Sequence, residues 1–212
     1  MFTTFTVIRH GETAANAENI IQGQTDVPLN ASGEEQARRL GRRWRGRRFD
    51  AVYSSDLSRA LRTAELVLPE QPPTPAPELR EMDLGAWCGL TTAEVAERFP
   101  DEWAAFRSGS LSCRATGGES RRDVFRRMER FFADMAGRHA GGNVLAVTHG
   151  GVLRVFFLLV LGGEDINIRL LPATTNTGIC TAKFDLDTGL WRLLCWNDTA
   201  HLDAALGGDD AY

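Results

Sequence analysis

Alternation is the feature that most limits what this chain can fold into. Short runs of apolar and β-branched residues, each running into a polar cluster, are separated by stretches of helical periodicity. Phe2–Ile8 reads as a strand that ends at Arg9-His10-Gly11, and Phe49–Tyr53 as a second that ends at Ser54-Ser55-Asp56. Asn143–Thr148 reads as a third, ending at His149-Gly150-Gly151. Ala37, Leu40 and Trp44 fall at helical spacing after Ser32, which with Glu35 fits a capping box. Leu57–Leu68 reads as a helix stopped by Pro69, and Gln71–Pro77, rich in proline, as a stiff connector. Val124, Phe125, Met128, Phe131, Phe132 and Met135 form one helical stripe, whereas Val152–Leu161 is apolar all round and reads as buried helix. Gly178–Asp185 and Leu190–Trp196, joined through Asp187-Thr188-Gly189, read as a hairpin. Strands alternating with helices imply an α/β fold, a three-layer αβα sandwich with a mostly parallel central sheet. At 212 residues the chain fits one domain spanning 1–212, with a small helical insertion at about 90–118.

Composition removes several chemistries. The net charge of −4 and pI near 5.6 are a poor footprint for a nucleic-acid binder. The arginine clusters Arg38–Arg48 and Arg121–Arg130 read instead as solvated helix faces. Lys183 is the only lysine and no Gly-Lys-Ser/Thr occurs, which excludes a P-loop. The longest apolar run, Val155–Leu161, is far shorter than the roughly 20 residues of a membrane span. The opening residues carry no charged and then apolar leader, so a soluble cytoplasmic protein is expected. Cys88, Cys113, Cys180 and Cys195 form no C-x-x-C pair and are expected as reduced, buried thiols.

In a parallel sheet the residues just past the carboxyl ends of strands gather along one edge, where such folds bind ligands. His10, His149, Arg9 and Arg59 are therefore expected to converge. Glycines after each histidine admit a ligand close to the backbone, and a planar guanidinium suits phosphate because it donates two hydrogen bonds to two oxygens.

Taken together, Arg9-His10-Gly11-Glu12-Thr13 with Asn16, then Gln22-Gly23, Ser54 through Ala60, Glu81 before Gly85, and Thr148-His149-Gly150-Gly151 resemble the histidine phosphatase superfamily, also called phosphoglycerate mutase-like. The resemblance runs in family order from Thr6 to about Leu202. It implies the phosphoglycerate mutase-like version of the sandwich, with His10 as a nucleophile that becomes phosphohistidine. It further implies Arg9, Arg59 and His149 around the phosphoryl oxygens, His149 serving best as a protonated donor, and Glu81 as the general acid. Asn16, Gln22, Gly23 and Gly150 complete the implied phosphate and substrate contacts. The bland reading of Glu81 is a surface carboxylate paired with Arg80. His139 and His201 carry no motif and read as surface or structural. Trp87, Phe99, Trp103 and Phe106 read equally as a wall for an organic leaving group or as the insertion's own core.

Within the superfamily, mutases place a tyrosine three residues after the acid, where this chain has Leu84, and paired arginines in the insertion, where Arg114 lacks a basic neighbour. Gly117-Gly118-Glu119-Ser120 and Trp196–Leu202 resemble the phosphatase branch, including its broad-specificity and ribazole-phosphatase-like members. The expected activity is that of a phosphoric monoester hydrolase of histidine acid phosphatase type: metal-independent cleavage of small-molecule phosphate esters, with no cofactor. The alternatives are a phosphoglycerate mutase, which would need 2,3-bisphosphoglycerate, and a non-catalytic phospho-ligand binder. A zinc hydrolase lacks H-x-H or H-E-x-x-H spacing. The implied partner is the phosphate ester, with no nucleic acid and no membrane, and a homodimer is compatible with the reading.

Overall fold

The computed structural model describes residues 1–163 and 166–202. In chain order the principal elements are β1 (Phe2–Arg9), α1 (Ala14–Ala17), α2 (Ala31–Arg43), β2 (Ala51–Ser54), α3 (Ser58–Val67) and β3 (Thr74–Pro75). They continue with α4 (Thr92–Arg98), α5 (Pro100–Arg107), α6 (Arg121–Arg138), β4 (Asn143–Thr148), α7 (Gly150–Leu161), β5 (Ile179–Asp185) and β6 (Trp191–Asp198). The strands form one six-stranded sheet in the order β3-β2-β4-β1-β5-β6. The first four are mutually parallel, while the β5–β6 hairpin adds to β1 antiparallel. The expected mostly parallel sheet is therefore present.

Strand alternation explains why helices cover both faces. In β4, Val144 and Ala146 enter one core while Leu145 and Val147 enter the other. In β1, Phe5 and Val7 join the first and Ile8 the second. Helices α6 and α7 complete the first core with Met128, Phe132 and Phe156, and α2 and α3 complete the second with Leu40, Ala60 and Ala64. Phe132 sits at the centre of the first, 5.0 Å from Phe5 in an edge-on contact and 4.6 Å from Phe156. Truncating a buried phenylalanine of this kind costs about 3–5 kcal/mol.

Three local expectations change. Helix α2 is capped by Asn30, whose side chain accepts from Gly33 N–H at 2.8 Å, and not by Ser32. Glu35 instead meets Arg39 and Arg42 on the solvated face. The proline-rich connector supplies β3, since Thr74 and Pro75 pair with Tyr53 and Ser54 at the sheet edge, where a proline's missing N–H is tolerated. Of the four thiols, all free, only Cys180 is buried; the others are half-buried.

Helices α4 and α5 lie in the segment expected to be helical. A reciprocal Thr91–Glu94 box starts α4, and Pro100 opens α5. Trp87, Val95 and Ala115 form a small core of their own, against which Phe99, Trp103 and Phe106 pack half-exposed. The arginines of α2 pair with Glu34, Glu35 and Asp198, as a solvated face should. Among the described residues no helix is long and apolar enough to cross a membrane.

Candidate active site

The carboxyl ends of β1, β2 and β4 deliver His10, the Ser54–Ser55 turn and His149 to one edge of the sheet. His10 N–H bonds the Thr148 carbonyl at 2.9 Å, tying the β1 and β4 ends together, and the two imidazole centroids lie 5.0 Å apart. Gly11 permits this turn because a Cβ there would lie 2.4 Å from the Gly33 carbonyl oxygen. Its N–H donates to Thr63 Oγ1 on α3 at 2.9 Å.

His10 Nδ1 is 2.7 Å from the Gly11 carbonyl oxygen. A carbonyl only accepts, so Nδ1 carries the proton and Nε2 presents its lone pair. Burial, reinforced by the cations Arg59 and Arg9, holds the His10 pKa well below its usual 6.5. At neutral pH this imidazole is uncharged, the state a nitrogen nucleophile needs.

Arg59 is only 1% exposed and is fixed on three sides. Nη1 donates to the Thr25 carbonyl and Nη2 to the Gly23 carbonyl, each at 2.7 Å, while Nε donates to His149 Nδ1 at 3.2 Å. That last bond requires a lone pair on Nδ1, so His149 Nε2 bears the hydrogen and donates to Ser55 Oγ at 2.8 Å. Burial, with His10 and Arg59 adding to it, pushes the His149 pKa well below 6.5. The expected cationic His149 is thus corrected to a neutral ring with both nitrogens engaged.

Glu81 does not pair with Arg80, whose guanidinium forms a two-pronged bridge to Asp56 at 2.7 and 2.6 Å. Instead the Glu81 carboxylate accepts from Gly151 N–H at 3.1 Å, in the first turn of α7, and from Met82 N–H at 2.8 Å. A Cβ on residue 151 would lie 2.5 Å from Glu81 Oε1, so a larger residue there would displace the carboxylate from this seat. Arg127 holds the Glu81 backbone from behind, donating to its carbonyl at 3.2 Å while bridging to Glu119.

Arg9, Asn16, Glu81, Gly150, Arg154 and Thr174 line a cleft of ≈ 430 Å³. His10 follows Arg9 and His149 precedes Gly150 in the chain, but neither is itself among the lining residues. Asn16 Oδ1 accepts from Thr13 N–H and Asn176 Nδ2, which leaves its own Nδ2 donors unengaged among the described residues. Gln22 and Gly23 do not line the cleft: Gln22 Oε1 accepts from Thr13, and Gly23 spends its carbonyl on Arg59.

One part of the site had no sequence signal strong enough to find it. Asn176 Nδ2 donates to the His10 carbonyl at 3.0 Å, and Thr177 N–H to the Arg9 carbonyl at 3.1 Å. Arg9 Nη1 in turn donates to the Thr174 carbonyl. The run Thr174-Thr175-Asn176-Thr177-Gly178 shows only generic turn chemistry in the sequence. His201 proves structural, bonded to Thr177 Oγ1 at 2.8 Å, with burial lowering its pKa to about 4.

The fold is α/β with two histidines and two arginines gathered at one edge of the sheet, and comparison with known proteins gives the class. The family profile described as histidine phosphatase superfamily (branch 1) matches residues 5–199, and the chain belongs to that superfamily. It is 35% identical over 212 residues to the metal-independent phosphoserine phosphatase of Arabidopsis thaliana, covering 95% of this chain and 84% of that one. It is 32% identical over 219 residues to phosphoglycerate mutase-like protein 4 of the same plant, covering 98% and 93%. Bacillus stearothermophilus YhfR superposes with a TM-score of 0.87 at 32% identity, over 94% of this chain and 98% of that one.

Proposed function

We propose that this protein is a metal-independent phosphomonoesterase that hydrolyses small-molecule phosphate esters through phosphorylated His10. The observation that carries the reading is the His10 tautomer: Nδ1–H is spent on Gly11, and a neutral Nε2 lone pair remains at the end of β1. In the first half-reaction Nε2 attacks phosphorus as the ester P–O bond breaks, and a protonated Glu81 gives its proton to the leaving alkoxide. In the second, Glu81 takes a proton from water, the oxygen attacks phosphorus, and the P–N bond's electron pair returns to Nε2. Arg9 and Arg59 neutralise the charge that builds on the phosphoryl oxygens, with the start of α7 and the Asn16 amide as further donors. For His149 to donate to a phosphoryl oxygen, its Nε2–H must leave Ser55 Oγ. The relative named as a metal-independent phosphoserine phosphatase supports hydrolysis without metal.

The test is phosphate release from a panel of monoesters in EDTA, native protein against His10→Ala. The panel includes O-phosphoserine, and 3-phosphoglycerate with and without 2,3-bisphosphoglycerate. Release that survives chelation and vanishes in the variant is expected. Bisphosphoglycerate-dependent conversion of 3- to 2-phosphoglycerate without net release would replace hydrolysis by mutase chemistry. Binding of these esters without any turnover would reduce the protein to a phospho-ligand binder.

A further inference from the structure

A second cavity, of ≈ 730 Å³, adjoins the phosphate cleft, and Ile21, Thr92, Arg154 and Ala173 line both. Its walls are of two kinds. Trp103 and Phe106 of α5, with Trp87, line it together with Ile168, Leu171 and Pro172, giving an apolar slot. Arg107, Arg121 and Arg169 add cations, and among the described residues the lining contains no Asp or Glu.

Arg121 is the unusual member. It is 8% exposed, it stacks with its guanidinium carbon 3.6 Å from the Phe106 ring centroid, and Nη1 donates to the Phe106 and Ser110 carbonyls. It meets no carboxylate among the described residues. Burial and the neighbouring Arg154 lower its pKa to about 10, which still leaves it charged at neutral pH. A buried cation without a counter-ion is costly unless an anion completes it, and aromatic faces beside it suit a flat or apolar body.

We infer that this cavity is the leaving-group subsite, and that the preferred substrates are monoesters whose organic part is apolar or planar and carries a second negative charge. The inference rests on the phosphatase reading and sharpens it. A zwitterionic leaving group such as that of phosphoserine would bring its ammonium among arginines, so it should be a poor substrate here.

The experiment compares three para-substituted phenyl phosphates, bearing carboxymethyl, methyl or aminomethyl groups, in native protein, Arg121→Met, Arg107→Gln and Arg169→Gln. The kcat/KM should fall from the anionic to the neutral to the cationic ester, by about tenfold from first to last. The anionic-to-neutral ratio should shrink by about threefold or more in the exposed Arg107 and Arg169 variants, which keep the proposal testable if Arg121→Met fails to fold. His10-dependent release from all three esters at similar kcat/KM, or fastest release from the cationic one, would overturn the subsite and leave the phosphatase standing. No release from any of them by the folded native protein would overturn both.

Discussion

The two ends of the cleft are built differently. At the strand ends, His10, Arg59 and His149 are at most 3% exposed, and each is held by hydrogen bonds to backbone or to another site residue. At the helical segment, α5 buries none of its residues, and Trp103 and Phe106 are half-exposed over a cavity edged with arginines. The first arrangement fixes reacting groups in place, as electrostatic stabilisation of a transition state requires. The second leaves room for side chains to be exchanged without disturbing the sheet. The proposed function puts the chemistry in the rigid end, and the inferred subsite puts selectivity in the open one.

Substitutions should separate the two ends. The largest effect belongs to His10→Ala, which should lower kcat by about 10⁴-fold or more while the far-ultraviolet circular dichroism stays native. A loss under tenfold would remove His10 from the nucleophile role. Arg59→Ala should lower kcat/KM by about 10²–10³-fold. It should also destabilise the fold by about 1–3 kcal/mol in urea unfolding, since the Gly23 and Thr25 carbonyls lose their donors. Glu81→Gln should cost about 10²-fold on alkyl esters and much less on nitrophenyl phosphate, whose leaving group needs little protonation. Equal losses on both ester types would exclude the acid role.

At the open end, Trp103→Ala should change kcat/KM by about three- to tenfold, in a direction that depends on the ester, with kcat for small alkyl esters little altered. A uniform loss across all esters would mean that the helical segment supports the chemistry itself.

The smallest effect is on pH. His10 and His149 both titrate well below 6.5 in the fold, so below that value the unfolded chain binds more protons than the native one. Stability is therefore complete above about pH 6.5 and declines as pH falls from there toward the folded-state values. Urea unfolding from about pH 5 to 8 should show this slope, shallower in a His10→Gln/His149→Gln double variant. Identical slopes would show that the two rings are not held neutral by burial.

Much of the rigid end was legible because its determinants are local. The alternation of Val144, Leu145, Ala146 and Val147 between two cores, and the histidine-glycine pairs at two strand ends, are written within a few consecutive residues. The clamp at Thr174–Thr177 was not legible because it depends on a distant pairing. Ile179 of β5 falls opposite Ile8 of β1, which sets Thr177 against the Arg9 and His10 carbonyls. The neutral His149 was hidden for a similar reason: it comes from burial, with His10 and Arg59 adding to it, and both the burial and these neighbours arise only when distant strand ends meet. The motif implies Gln22 and Gly23 as substrate contacts, whereas the bonds that turn them toward Thr13 and Arg59 exist only in the folded chain.

The central claim is a covalent phosphohistidine, and trapping it is the most direct measurement. Native protein mixed with a ³²P-labelled monoester in EDTA, quenched in alkali within the first turnovers and digested, should yield one labelled peptide containing His10. The label should be stable to base, labile to acid and absent from His10→Ala. Phosphate release with no trapped label, or a label on another residue, would contradict it.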